Sequence, residues 1–364
     1  MRIKPFKALT PDLSLVKSAD SFFNTVKQNF PKYNEAGFFK SETEEAFYIY
    51  KITEGDHSYT GILNSSSVED YKAGLIKKHE KTISVKEQQQ LSLLLHRKAI
   101  VKPVLLTYPK VDIIEDFTKR ITEDREPIFS ISFERDHQYH ELWAINNPSE
   151  IRQLQDMFSE HVPCAYIADG HHRTSTSALL HDKEGSSGKY EYFLTAYFPN
   201  SQLEILAYNR VIDTFDSITP TRFMAKLAKY CKITPLYVPT PPSSPKELVM
   251  YINYEWYSLK WKDNIIKKAP KNVLDVELFN KYILTKIIGI KDLKDDPKIR
   301  YADGKLGLEG VADKTNKAPG RVGFSLYPVP MKDFIRISDK GATLPPKSTW
   351  FEPRMKNGVV VQTI

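Results

Sequence analysis

The sequence predicts an α+β fold, with mixed and antiparallel sheets and packed helices. Three observations carry this. Strand-like runs come in adjacent pairs joined by turn residues, not in strict alternation with helices, which argues against a doubly wound sheet. The chain of 364 residues is longer than one ordinary domain. The pattern of runs also changes near residue 215. It divides the chain into a first domain over 1–214, a second α+β domain over 215–343, and an irregular tail over 344–364 that packs back on the core.

The elements follow in order. "EAFYIYKITEG" and "HSYTGILNSS" read as a hairpin around Gly55-Asp56, rich in aromatic and β-branched residues. "SVEDYKAGLIKKHEKT" reads as a helix, with Ser67 as N-cap, Asp70 three residues later, and Tyr71, Leu75 and Ile76 on one apolar face. "VKEQQQLSLLLHRKA" is a second helix and "VKPVLLTYP" a short buried strand. "EPIFSISFERDHQYHELWAI" is a hairpin turning near Asp136-His137, and "PSEIRQLQDMFSEH" opens with a Pro-Ser-Glu helix start. "CAYIADGHH" is a strand running into a turn and a helix, followed by strands in "YEYFLTAYFP" and "LEILAYNRVID". Beyond residue 215, "RFMAKLAKYCKI" and "LDVELFNKYILTKIIGI" read as helices, "ELVMYINYEWYSLKW" as a hairpin and "PGRVGFSLYPVP" as a strand. "MKDFIRISDKG" is a helix ended by Gly341. Four prolines make "VPTPPSSP" a loop. "ADGKLGLEG", with Gly304, Gly307 and Gly310, reads as a β-turn segment that does not lead into a helix.

Composition narrows the class. Hydrophobic residues make up 41 % and charged residues of both signs 27 %, which fits a globular chain with a real core. A net charge of +7 suits an anionic ligand. It is too diffuse for a nucleic-acid footprint, and runs such as Lys77-Lys78 and Lys267-Lys268 are short. Two distant cysteines, Cys164 and Cys231, exclude a disulfide framework and predict a reducing compartment. "MRIKPFKALT" has no apolar signal-peptide core, and no apolar run reaches the length of a membrane span. The expectation is a cytoplasmic protein without a membrane partner.

One stretch concentrates chemistry: "AYIADGHHRTSTSALL", Ala165 to Leu180. An apolar strand meets Gly170, which tolerates a positive φ, and a helix starts near His171. The first amides of a helix have no internal partners, and its dipole is positive there. Arg173, His171 and His172 add donors and charge, so the turn suits a phosphate. The hydroxyls of Thr174 and Ser175, with Thr176 and Ser177, can donate to the same anion or cap the helix. Asp169 would repel that anion unless it orients a histidine, holds Mg²⁺, or acts as a base. The adjacent histidines make a poor zinc site, because neighbours on a helix diverge by about 100° and no HExxH or CxxC accompanies them.

"YIADGHHRTSTSALL" resembles the phosphate-binding turn of the ParB/sulfiredoxin superfamily and, most closely, the Asp-Gly-His-His-Arg motif of its archaeal free-serine kinases. The chain as a whole resembles the family catalogued as domain of unknown function 1015. The match is carried by "VEDYKAGLIKKHEKT", "YIADGHHRTSTSA", "LDVELFNKYILTKIIGI" and "GATLPPKSTWFEPRMKNG". This resemblance implies a ParB/sulfiredoxin-like core in the first domain and a nucleotide or phosphate site at Asp169 to Arg173. It further implies phosphoryl transfer to a small hydroxyl compound such as serine. ATP or ADP, with CTP as a third candidate, would be the nucleotide, with Mg²⁺ and no zinc.

Two further stretches join this reading. "IKKHEKT" places His79 and Glu80 in the same cleft as candidate catalytic groups, with Glu80 as a base or as a Mg²⁺ ligand beside Asp169; the plainer reading is cationic capping of a helix C-terminus. "LPPKSTWFEPRMKNG" has a Lys-Ser-Thr like a Walker A ending, but it lacks the glycines and is no P-loop. There Lys347 or Arg354 could serve an anion site, the alternative being a buried structural tail. Arg210, at a strand end in "YNRVID", could reach the site from a neighbouring strand, the plainer reading being a surface salt bridge. The catalytic candidates are therefore Asp169, His171, His172, Glu80 and His79, and the nucleotide-binding candidates Gly170, Arg173, Thr174, Ser175 and Lys347. The leading reading is a small-molecule phosphotransferase. A nucleotide-binding regulator without turnover is the alternative, a DNA-binding protein is the weakest, and a homodimer is left open.

Overall fold

The structure is a computed structural model describing residues 1–184, 190–215, 218–294 and 296–364. The fold is α+β, in two compact units. One comprises Met1–Glu204, Ile335–Thr343 and Pro353–Ile364, the other Ile205–Phe334 and Leu344–Glu352.

The first unit is built on a mixed nine-stranded sheet. Its hairpins form where apolar strands flank residues that accept a positive φ. Phe47–Glu54 pairs antiparallel with His57–Ser67 around Gly55 (φ 57°), and Phe129–Phe133 with Gln138–Ile145 around His137 (φ 51°). Parallel pairing joins Tyr192–Pro199 to Val104–Tyr108 and Ala165–Asp169 to Ile76–Lys77. Strands this deep are buried on both faces: Leu106 and its neighbour Thr107, like Leu194 and Thr195, are fully buried. A second sheet orders Phe39–Ser41, Ala8–Pro11, Val361–Thr363 and Ala99–Ile100, which fixes the approach to Lys102.

One helix is shorter than its sequence suggests. It covers only Val68–Lys72, and Ser67 makes no side-chain cap. Asp70 instead accepts hydrogen bonds from Arg2 N–H (2.9 Å) and Arg2 Nε (2.7 Å). Gly74 (φ 78°) then turns the chain so that Ile76–Lys77 becomes an edge strand. "IKKHEKT" is therefore not a helix C-terminus, and the dipole argument for its cations falls away.

The second unit holds a six-stranded antiparallel sheet in the order Cys231–Leu236, Glu255–Trp261, Glu247–Ile252, Arg321–Leu326, Asn209–Asp213, Ile299–Ala302. "ADGKLGLEG" does lead into a helix, Gly307–Asn316. That helix packs on the strand carrying Gly323, where a Cβ would lie 2.5 Å from Val311 Cγ1 and from Thr315 Oγ1. Arg210 is not at the surface. It is 2 % exposed, donates to the carbonyls of Tyr208 (2.6 Å) and Lys347 (3.1 Å), and stacks on Phe279 and Tyr301. Among the described residues, no helix is long and apolar enough to cross a membrane.

Candidate functional site

The strand Ala165–Asp169 loses its regular register between Ile167 and Asp169. Such an irregularity re-aims the last side chain. Gly170 follows at φ 112°, and the helix His171–Glu184 begins at once. The first helical hydrogen bond runs from Thr174 N–H to Gly170 O (3.0 Å), so the amides of His171, His172 and Arg173 stand outside the helical ladder.

Arg173 folds back over this turn. Its guanidinium lies against Gly170, where a Cβ would come within 2.7 Å of Nη2. Nη2 donates to Asp169 Oδ2 (2.9 Å) and Pro103 O (3.3 Å). Arg173 Nε is buried and has no hydrogen-bond partner. Lys102 Nζ stands 3.5 Å from the same Asp169 oxygen. Burial opposes ionisation of Asp169, but the charges of Lys102 and Arg173, the Arg173 hydrogen bond and the charge of Arg354 outweigh it. Its carboxyl is held well below the ordinary range, although 44 % of the side chain is exposed. A carboxylate with so little proton affinity is a poor general base and a good anchor for a guanidinium.

His79 and Glu80 reach the same turn, because the strand Ile76–Lys77 runs parallel beside Ala165–Asp169. His79 N–H donates to His171 Nε2 (3.3 Å), and the two rings meet edge to face with centroids 4.4 Å apart. His171 Nδ1 lies 3.7 Å from Glu80 Oε2. Burial pushes His79 down to about 3, against the pull of an Ile167 backbone hydrogen bond and Asp169. Burial, followed by the neighbouring His79, also lowers His171 far below its ordinary value. Both rings are thus neutral. With Nε2 of His171 accepting, its proton sits on Nδ1, towards Glu80.

The four hydroxyls bond back to their own helix. Thr174 donates to Gly170 O (3.2 Å), Thr176 to His172 O (2.7 Å) and Ser177 to Arg173 O (3.1 Å). Ser175 divides its proton between His172 O (3.3 Å) and Glu87. His172 is half-buried on the same first turn. Lys347 lies in the other unit, at φ 56°, with its ammonium 5.0 Å from the Tyr208 ring centroid.

Beside the turn opens a pocket lined by side chains of three helices and several strands. Arg173, Thr176 and Ser177 line it from the site helix. Gln90, Leu94 and Arg97 line it from the helix Ser84–Arg97. Lys27, Lys102 and the apolar Val104, Phe193 and Leu194 also line it. Sequence reasoning does not single out Lys27, Arg97 or Lys102. For Lys102 a signal is present, a lysine inside the buried run "VKPVLLTYP".

The donor set fits a phosphate: amides at a helix start, an orphaned buried Arg173 Nε, and cations around them. It fits a protein-held metal badly. Asp169 Oδ2 is already shared by Arg173 and Lys102, whose charges would repel Mg²⁺. Among the described residues, no group of three or more His, Cys, Asp and Glu could hold a metal ion.

The sequence profile of the family described as "Protein of unknown function (DUF1015)" matches residues 8–277. No curated protein matches the chain. Solved structures of similar architecture include SbnI with a C-terminal truncation from Staphylococcus aureus (11 % identity, 81 % of this chain and 85 % of that one, TM-score 0.43). Another is a point mutant of a free serine kinase in complex with AMP (9 %, 85 % and 95 %, TM-score 0.38). A conserved hypothetical protein from Pyrococcus furiosus is also similar (11 %, 82 % and 94 %, TM-score 0.36).

Proposed function

This chain belongs to the DUF1015 family, and for this member we propose a phosphotransferase that holds nucleotide phosphates at the turn from Asp169 to Arg173 and serves a small hydroxyl acceptor. The observation that supports it is Arg173. Its guanidinium is fixed by Asp169 and Pro103 O, yet keeps one buried donor unused beside the helix amides. Pre-set donors of this kind stabilise charge on a transferring phosphoryl group without reorganising.

The nucleotide would supply the phosphoryl group and leave one phosphate shorter. Arg173, Lys102 and the amides of His171 to Arg173 would bind its oxygens. Asp169 would act through Arg173, as a positioning residue. His171, held neutral by burial and fixed by the His79 amide, would orient Glu80 through Nδ1–H. Glu80 would take the proton of the acceptor hydroxyl as its oxygen forms the new P–O bond and the bond to the nucleotide breaks. We assign Thr174 and Ser175 to holding the helix start, and Lys347 no part.

The test is incubation with ATP, ADP or CTP, each with serine and Mg²⁺, followed by mass spectrometry for phosphoserine and by calorimetric titration of each nucleotide. Binding that is lost in Arg173→Ala, with phosphorylated product lost in Glu80→Gln, is the expected result. Nucleotide binding without any phosphorylated product across a panel of hydroxyl acceptors would leave a binding protein without turnover. Absence of binding would remove both.

A further inference from the structure

We infer that the pocket beside the turn seats the acceptor, and that this acceptor is a compact hydroxy compound carrying two or more carboxylate or phosphate charges, more acidic than a neutral zwitterion such as serine. The inference rests on the proposed phosphotransferase for the word acceptor, but its charge argument stands on the pocket alone.

Four cationic side chains from separate parts of the first unit line this cavity: Lys27 from the helix Ala19–Glu35, Arg97 from the end of Ser84–Arg97, Lys102 and Arg173. Arg354 adds its charge to the same group through Lys102 and Asp169. Against them stands the Asp169 carboxylate, already engaged by Arg173 and Lys102. Lys27 and Arg97 have no ion-pair partner among the described residues. Burial lowers the affinity of Lys27 for its proton, and the charges of Arg173 and Arg97 lower it further. Lys102 is lowered by burial too, with Arg173 and Arg354 adding to it against the pull of Asp169.

Like charges gathered in a partly desolvated cavity repel unless an anion joins them. One negative charge would leave most of this excess in place, whereas two or three would offset most of it. Leu94, Val104, Phe193 and Leu194 in the lining are apolar and suit a carbon frame. Gln90, Thr176 and Ser177 supply the neutral polar contacts that a hydroxyl needs. Because Arg173 belongs to both the turn and the pocket, an anion in the pocket lies next to phosphates on the turn.

Calorimetric titration at fixed ionic strength uses citrate, L-malate, L-serine and ADP as probes. Citrate should bind at least tenfold more tightly than serine, with malate between them. Lys27→Met and Arg97→Met, which keep bulk and remove charge, should each weaken citrate tenfold or more and leave ADP within twofold. Citrate affinity that equals that of serine, or is unchanged in both variants, would overturn the inference. Loss of ADP together with citrate in both variants would also overturn it, by giving the pocket to the nucleotide phosphates, while the turn reading would stand. Citrate binding without ADP binding would do the reverse. If the variants fail to fold, the wild-type chain decides: a thermal midpoint raised by citrate but not by equal ionic strength of sodium chloride, with ADP still bound in saturating citrate, supports a separate seat. An unmoved midpoint, or ADP displaced by citrate, refutes it.

Discussion

Three buried histidines should make this protein sensitive to mild acid. His79 and His140 are pushed down to about 3, in both cases chiefly by burial, and His171 is lowered well below its ordinary value for the same reason. His140 is 0 % exposed; its Nδ1 is hydrogen-bonded by the Tyr50 hydroxyl and its Nε2 lies 3.1 Å from Gln138 Oε1. The folded chain keeps all three rings neutral, while the unfolded chain binds protons at about 6.5. The unfolded state therefore gains protons first as pH falls. Stability is complete above about pH 6.5 and is lost progressively towards the folded values. Between about pH 7 and pH 5 the rings of His79 and His140 each account for about 2 kcal/mol, a large part of a typical domain's stability when taken together, and His171 acts in the same direction. Urea unfolding followed by tryptophan fluorescence at half-unit steps of pH measures the slope directly. His140→Gln, remote in sequence from the site and without an ionisable ring, should lose about 2 kcal/mol less over the same interval. A wild-type loss below about 2 kcal/mol, or an equal loss in the variant, would refute the reasoning.

The remaining predictions concern charge, backbone and the second unit. Asp169→Asn should cost about 2 kcal/mol at neutral pH, between the exposed and the fully buried limits for an ion pair. Because its folded carboxyl is held below 3.8, the gap between wild type and variant in urea unfolding should persist above about pH 4 and close as pH falls further. Gly170→Ala places a Cβ at φ 112° and 2.7 Å from Arg173 Nη2, so it should cost about 1–3 kcal/mol in thermal unfolding and weaken ADP at least tenfold by calorimetry. Arg210→Met leaves the carbonyls of Tyr208 and Lys347 without their donor, costing about 2 kcal/mol, and limited proteolysis should cut faster within 344–352.

Much of the site was readable because its residues are contiguous. Asp169 to Arg173 carry strand end, positive φ and helix start in five positions, and each follows from local chemistry. His79 and Glu80 were joined to the turn only as the functional reading of "IKKHEKT", against plain helix capping. What joins them to His171 is a parallel strand pair, and the hydrogen bond from His79 to His171 spans 92 positions of sequence. The helix expected over "SVEDYKAGLIKKHEKT" ends early because Asp70 is taken by Arg2 and Gly74 breaks the run, neither of which local periodicity weighs. Arg210 was misplaced for the converse reason: a charged residue between apolar ones reads as a surface position, and burial is decided by carbonyls that arrive from Tyr208 and Lys347.

The sequence alone determined the hairpins, the α+β class and the strand-turn-helix at Gly170, since all of these rest on residues within a few positions of one another. Tertiary structure decided the charge of the site. Lys27, Arg97, Lys102 and Arg173 are ordinary cations scattered along the first unit, and only the packing of helices and strands brings them around one pocket. Electrostatic energy depends on separation in space and on burial, and neither is written in sequence distance.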